Sequence, residues 1–141
     1  MRAMSDAEMR AFLEYGTRTA KISTVAADGR PHVVPVWFVL DGEQLVVTSN
    51  SGSAKARHLA RDPRVAVCVD DERPPYAFVA LRGTVTLHPN PPDLLAWTTR
   101  IAARYLTGVD AAEAGRRYAE LDDLIVRVRV EHALGYADVA A

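Results

Sequence analysis

Two Asp-Gly pairs, Asp28-Gly29 and Asp41-Gly42, limit most strongly how this chain can fold. Each lies between runs of strand-forming residues. Asp-Gly is favoured in two-residue hairpin turns because both central positions need a positive φ. Ahead of the first pair, Thr17 to Ala27 sets Thr19, Lys21, Ser23 and Val25 against Ala20, Ile22, Thr24 and Ala26, the period-two pattern of a strand. Pro31 to Leu40 reads as a second strand and Gln44 to Thr48 as a third. Three strands joined by two tight turns predict an antiparallel meander. Pro35 cannot donate to a sheet ladder, so it implies an edge, a bulge or an opening in the second strand. Trp37 lies in that same strand and, taken alone, reads as a core aromatic.

The rest of the chain alternates helices with strands. Ser5-Asp6-Ala7-Glu8 is a capping box that opens a helix with Met9, Phe12 and Leu13 on its apolar face. Val65 to Val69 reads as a fourth strand, followed by a charged, proline-containing loop from Asp70 to Pro75. Tyr76 to Leu87 reads as a long strand in which Gly83 marks a bulge or a close approach. Asn90-Pro91-Pro92 predicts a helix start, with the helix running to about Leu106. Asp110 and Glu113 open another helix, which continues through Gly115 to Leu121. Leu124 to Val130 alternates as the last strand, and His132 to Ala141 reads as a tail. Mostly consecutive strands with Gly and Pro turns predict an α+β fold, mainly β: a six- to seven-stranded antiparallel, partly open barrel with helices on its rims.

Between the third strand and the next helix lies Thr48-Ser49-Asn50-Ser51-Gly52-Ser53-Ala54-Lys55-Ala56-Arg57. A small-residue loop entering a helix gathers free backbone N–H groups and the positive end of the helix dipole, which favours an anion. Ser51 or Ser53 can cap the helix. A first turn ordinarily favours Asp or Glu, yet this one carries Lys55 and Arg57, and no acid follows until Asp62. A bound phosphate would turn that unfavourable arrangement into a favourable one. The plain alternative is a solvated basic helix face. Only two lysines occur, Lys21 and Lys55, against a large excess of arginine.

Other chemistries lack support. A formal net charge of −1 gives no general pull toward nucleic acid or a membrane surface. The apolar runs are too short to span a bilayer and no signal peptide is visible, so the expectation is a cytoplasmic protein with neither a nucleic-acid nor a membrane partner. His32, His58, His88 and His132 form no ligand-spaced pair, so no metal site is expected. The lone Cys68 reads as a buried small hydrophobe, and Asp122-Asp123 as a helix-to-strand turn. The 141 residues suit a single domain over 1–141.

Four segments together carry a family resemblance: Pro31-His32-Val33-Val34-Pro35-Val36-Trp37-Phe38, Val47-Thr48-Ser49, Ser53 to Leu59, and Arg61 to Ala66. In order and spacing they resemble the pyridoxamine phosphate oxidase-like split-barrel superfamily. Within it, the chain looks most like the actinobacterial group that uses the deazaflavin coenzyme F-420. The ending Val128 to Asp138 resembles that group's biliverdin-reducing members.

The resemblance implies an F-420-dependent oxidoreductase, with Lys55 on the cofactor phosphate and Ser53 and Arg57 beside it. Thr48 and Ser49 would contact the phosphate or ribityl chain. Val34, Pro35 and Val36 would line the ring, with Trp37 at its edge. Relatives are homodimers with cofactor sites at the subunit interface, so Tyr76 and Phe78 would meet the ring from the partner chain. The vitamin B6 oxidases carry an arginine where this chain has His32, a lysine where it has Trp37 and an arginine where it has Ala54, which speaks against a B6 oxidase and weakens the case for FMN. No catalytic side chain is assigned, since the hydride would come from the cofactor. The substrate would be conjugated, such as biliverdin or a quinone. The alternatives are an FMN-dependent oxidoreductase and a non-catalytic carrier of F-420, haem or another tetrapyrrole.

Overall fold

Ser5 opens the first helix as its capping box predicts. Its hydroxyl accepts from the Glu8 N–H at 3.2 Å, and the Glu8 carboxylate accepts from the Ser5 N–H at 3.3 Å. The structure, a computed structural model, describes residues 1–108 and 110–141. In chain order the elements are β1 (Arg2–Ala3), α1 (Asp6–Glu14), β2 (Ala20–Val25), β3 (Pro31–Val36), β4 (Val39–Asp41), β5 (Gln44–Ser49), α2 (Ala54–Arg61), β6 (Arg64–Asp71), β7 (Ala77–Pro89), α3 (Leu94–Tyr105), α4 (Ala111–Leu121) and β8 (Leu124–Ala137).

The chain turns at both Asp-Gly pairs, with Gly29 at φ 86 and Gly42 at φ 58, but neither aspartate takes a positive φ. Asp41 is the last residue of β4, paired with Gln44, so Gly42-Glu43 make that turn. The first turn lies in a longer loop between Val25 and Pro31. The expected meander does not form. The strand expected over Pro31 to Leu40 is two strands, broken at Trp37-Phe38. β3 pairs with β2, and β4 with β5, and the strand order is β3-β2-β6-β7-β8-β5-β4, with β1 on β8. Thus β3 and β4 lie at opposite ends of the order although two residues separate them. Three Cα steps reach about 11 Å at most. Seven strands laid flat would separate the two edges by about 29 Å. The sheet therefore rolls up until its edges nearly meet, and the seam at Trp37-Phe38 stays open. Pro35 sits on the edge strand, where its missing N–H costs no ladder bond.

The interior of the roll takes the inward residues of each strand, including Ile22, Leu45, Val47, Val67, Val79 and Val126, with Met9 and Leu13 of α1 and Leu59 of α2 packed against them. A second cluster of Val39, Val46, Ile101 and Ile125 lies under α3, with Trp37, Trp97 and Tyr105 against it. Arg104 of α3 bridges the seam to α1, donating to the carbonyls of Phe38 at 2.8 Å, Leu13 at 2.7 Å and Gly16 at 3.0 Å.

Three further boundaries differ from expectation. Residues from His132 are no tail: β8 runs on to Ala137 against β7, because a bulge between Arg82 and Gly83 shifts the register and breaks the alternation that ended at Val130. The third helix begins at Leu94, since Asn90 takes a positive φ and the prolines form the entry turn. Tyr76, at φ 67, precedes β7 instead of starting it.

Candidate functional site: a basic helix start beside an apolar cleft

The loop from β5 into α2 is held on several sides. Ser53 is the N-cap of α2, and its hydroxyl accepts from the Ala56 N–H at 3.1 Å. The buried Ser49 hydroxyl lies 3.1 Å from that of Ser53. Asn50 accepts from the Gly52 N–H at 2.8 Å and donates to the Leu121 carbonyl at 2.9 Å. The turn between α4 and β8 supplies two carboxylates. Asp123 accepts from the Ser51 N–H at 2.7 Å and its hydroxyl at 2.6 Å, while Asp122 accepts from the Thr48 hydroxyl at 2.9 Å. The β5–β8 pairing aligns Ser49 with Leu124 and so brings that turn against the loop.

Lys55 stands in the first turn of α2, which contains no acidic residue. It is half-buried. Lys21 is paired with Asp70 at 2.7 Å, whereas among the described residues Lys55 has no carboxylate within the 4.0 Å of an ion pair. Burial holds its ammonium below the ordinary lysine range, and the Asp122 carboxylate partly offsets this. Burial likewise pushes Asp122 above the usual carboxylate range, against its Thr48 hydrogen bond and the attraction of Lys55. A partly desolvated cation without a close counter-ion, at the positive end of a helix, is suited to an anion. Arg57 is exposed and donates to the Gly52 carbonyl.

A cleft of about 410 Å³ opens beside this loop. Pro35, Val36, Trp37 and Ile101 give it apolar walls, and Thr19, Thr48, Thr98, Tyr118 and Asp122 give it polar groups. Trp37 is stacked on Tyr105 with ring centroids 5.0 Å apart and planes 5° from parallel, and its edge meets Tyr118 at 5.8 Å. The Tyr105 hydroxyl accepts from the Phe38 N–H at 3.2 Å and donates to the Arg18 carbonyl at 2.8 Å, so the seam itself sets the position of Trp37.

Of the residues expected at the site, Pro35, Val36, Trp37 and Thr48 line the cleft together. Val34 packs toward the barrel core. Ser49, Ser53, Lys55 and Arg57 belong to the adjoining loop and helix and do not line the cleft. Asp122 links the two groups. Tyr76 and Phe78 lie elsewhere in the chain: Tyr76 lines a separate 590 Å³ hollow with Arg18 and Arg73, and Phe78 packs on Tyr136 at 5.8 Å. Sequence reading missed Asp122, Tyr118, Thr98 and Thr19. The one available signal for Asp122 was the run of hydroxyl residues at 48–53, which needs acceptors once the loop is packed.

An antiparallel sheet rolled into an open barrel, with a basic helix start beside an apolar cleft, defines a split barrel of the flavin-binding oxidoreductase type. The chain belongs to the pyridoxamine 5'-phosphate oxidase family, whose model matches residues 5–134. Among solved structures it is similar to an F420 reductase at 31% identity, with a TM-score of 0.69 over 88% of this chain and 94% of the other. A conserved hypothetical protein from Mycobacterium tuberculosis shares the fold with a TM-score of 0.84 at 22% identity, over 96% of this chain and 86% of the other. A FAD-binding protein from Mesorhizobium loti does so with a TM-score of 0.69 at 20% identity, over 95% of each chain.

Proposed function

We propose that this protein is a reductase that holds a deazaflavin of the F-420 type and serves the reduction of a flat, conjugated small molecule, with biliverdin or a quinone as candidates. The observation that carries the reading is Lys55, half-buried at an acid-free helix start with no carboxylate at ion-pair distance among the described residues. The likeness to the F420 reductase supports the choice of cofactor.

In this reading Lys55 holds the cofactor phosphate, with Ser53, Ser49, Thr48 and Arg57 about it. The backbone of Val34 to Val36 flanks the ring, and Trp37 stands at its edge. When bound in its reduced form, F-420 supplies a hydride. The chain's own contribution is orientation and exclusion of water. Pro35, Val36, Trp37 and Ile101 shield one flat guest, and Tyr105 keeps the Trp37 ring from turning into the cleft. We also propose a homodimer, in which Tyr76 and Phe78 reach the partner's ring.

Titration with F-420, FMN and haem, followed by oxidation of reduced F-420 against a panel that includes biliverdin and quinones, tests this. Saturable F-420 binding with turnover of a conjugated acceptor is expected. Tight FMN binding without F-420 binding overturns the cofactor choice, and F-420 binding without any turnover overturns the reductase in favour of a carrier.

A further inference from the structure

The cation that faces the proposed phosphate seat is accompanied by acid. Thr48 Oγ1 donates to Asp122 at 2.9 Å, which holds that carboxylate at the end of β5, where the loop into the helix of Lys55 begins. Asp123, its neighbour, is already committed to the Ser51 N–H and hydroxyl at 2.7 and 2.6 Å. Arg57 keeps its charge while donating to the Gly52 carbonyl, but it is exposed, so solvent and salt screen it more than the half-buried Lys55. The position before Lys55 is Ala54, which adds no charge. Lys55 therefore acts under the opposing field of Asp122.

Taking up this balance, and resting on the cofactor reading above, we infer that Asp122 is a specificity residue: held on Thr48 at the phosphate seat, it favours a phosphodiester with one negative charge over a phosphomonoester with two. The physical reason is a difference in scaling. Attraction to the seat grows in proportion to ligand charge, about twofold from monoanion to dianion. The cost of stripping water from the ligand grows with the square of the charge, about fourfold. A strongly positive seat overcomes that cost for a dianion. A seat whose one half-buried lysine is opposed by a nearby carboxylate does not. The phosphate of F-420 is a diester and stays a monoanion. That of FMN is a monoester with a second pKa of about 6, so it is a dianion at pH 8.

Three ligands with the same ring isolate the phosphate: riboflavin, FMN and riboflavin 4',5'-cyclic phosphate, whose phosphate is a diester. Fluorescence titration at pH 8 gives their affinities for the wild-type protein and for Asp122→Asn, which keeps an acceptor for Thr48. The wild type is expected to bind the cyclic diester more tightly than FMN. In Asp122→Asn the FMN-to-cyclic-diester affinity ratio should rise at least about threefold, because lifting a repulsive charge helps a dianion twice as much in free energy. Riboflavin, which has no phosphate, measures what the substitution does to the ring in the cleft that Asp122 lines, and the two phosphate ligands are read against it. Tighter binding of FMN than of the cyclic diester by the wild type overturns the inference, as does an unchanged ratio in a folded variant. If Asp122→Asn fails to fold, the wild-type comparison decides alone. If the wild type binds neither F-420 nor any of the three flavins, the cofactor reading falls and takes this inference with it. F-420 binding with the wrong charge preference removes only the inference.

Discussion

Arg104 holds Phe38 in two ways at once, with its guanidinium 4.4 Å over the ring and one N–H donated to the Phe38 carbonyl at 2.8 Å. The same group reaches Leu13 and Gly16, so one side chain ties α1, the seam and α3 together. Replacing it by methionine keeps much of the packing and removes three donors. The loss should be about 2–4 kcal/mol, measured by urea unfolding. The cleft should loosen with it, since Tyr105 next in the chain stacks on Trp37, and a red shift in tryptophan emission would report that.

Lys55→Ala removes the one half-buried cation at the head of α2. A charge-assisted contact to phosphate contributes about 1.5–3 kcal/mol, so F-420 affinity should fall roughly tenfold or more. Thermal stability without ligand should hold, because the charged amine is disfavoured by burial in the folded chain. Fluorescence titration and a melting curve check both halves. Unchanged affinity removes Lys55 from the site.

What could be read from residues alone followed the range of each interaction. The Ser5 cap, both Asp-Gly turns, the Ser53 helix start and the close approach at Gly83 depend on local backbone chemistry, and all were legible. The two hairpins, β2 with β3 and β4 with β5, were legible as well. The break between β3 and β4 that sends them to opposite edges was not, because alternation does not say where a continuous apolar run turns a corner. Pro35 marked an edge, and the corner came two residues later. Asp122 was read as a turn because its partner, Thr48, is 74 residues away. Register across β5 and β8 brings them together, and nothing local encodes that register.

Gly83 lies opposite the bulge in β8, where a Cβ would lie 2.0 Å from the Arg129 carbonyl oxygen. The obstacle is backbone and cannot swing aside. Gly83→Ala should therefore destabilise the fold by about 3 kcal/mol, through parting of the β7–β8 ladder, as read by denaturant unfolding. Gly29→Ala, with nothing within 4 Å of its Cβ, is the matched control for a strained turn without a clash.

Acid should weaken the fold through Asp62, which is brought from 3.8 to about 2 by the side-chain and backbone hydrogen bonds of Arg64. A carboxylate with a depressed value stabilises the folded chain above its unfolded-state value and loses that contribution as pH falls toward the folded one. The melting temperature should thus decline between about pH 4 and pH 2. Arg64→Ala should make that decline shallower without removing it, since the backbone N–H at position 64 still reaches Asp62 and the Asp71 carboxyl, held low by Arg73 and Arg18, still titrates. An equally steep decline in the variant would place the acid sensitivity elsewhere.

Asp122 should behave in the opposite sense. Burial raises its value, so folding disfavours its ionised form. The penalty is absent below the unfolded-state value and complete above the folded one. Asp122→Asn, neutral at every pH and still able to accept from Thr48, should raise the melting temperature at pH 7 and leave it nearly unchanged at pH 3. Melting curves of both proteins across that range give the comparison. If the variant is less stable than the wild type at pH 7, attraction to Lys55 outweighs burial at this carboxylate. The two charges would then form a structural pair, and the opposing field at the phosphate seat would have to be measured with Lys55 and Asp122 replaced together.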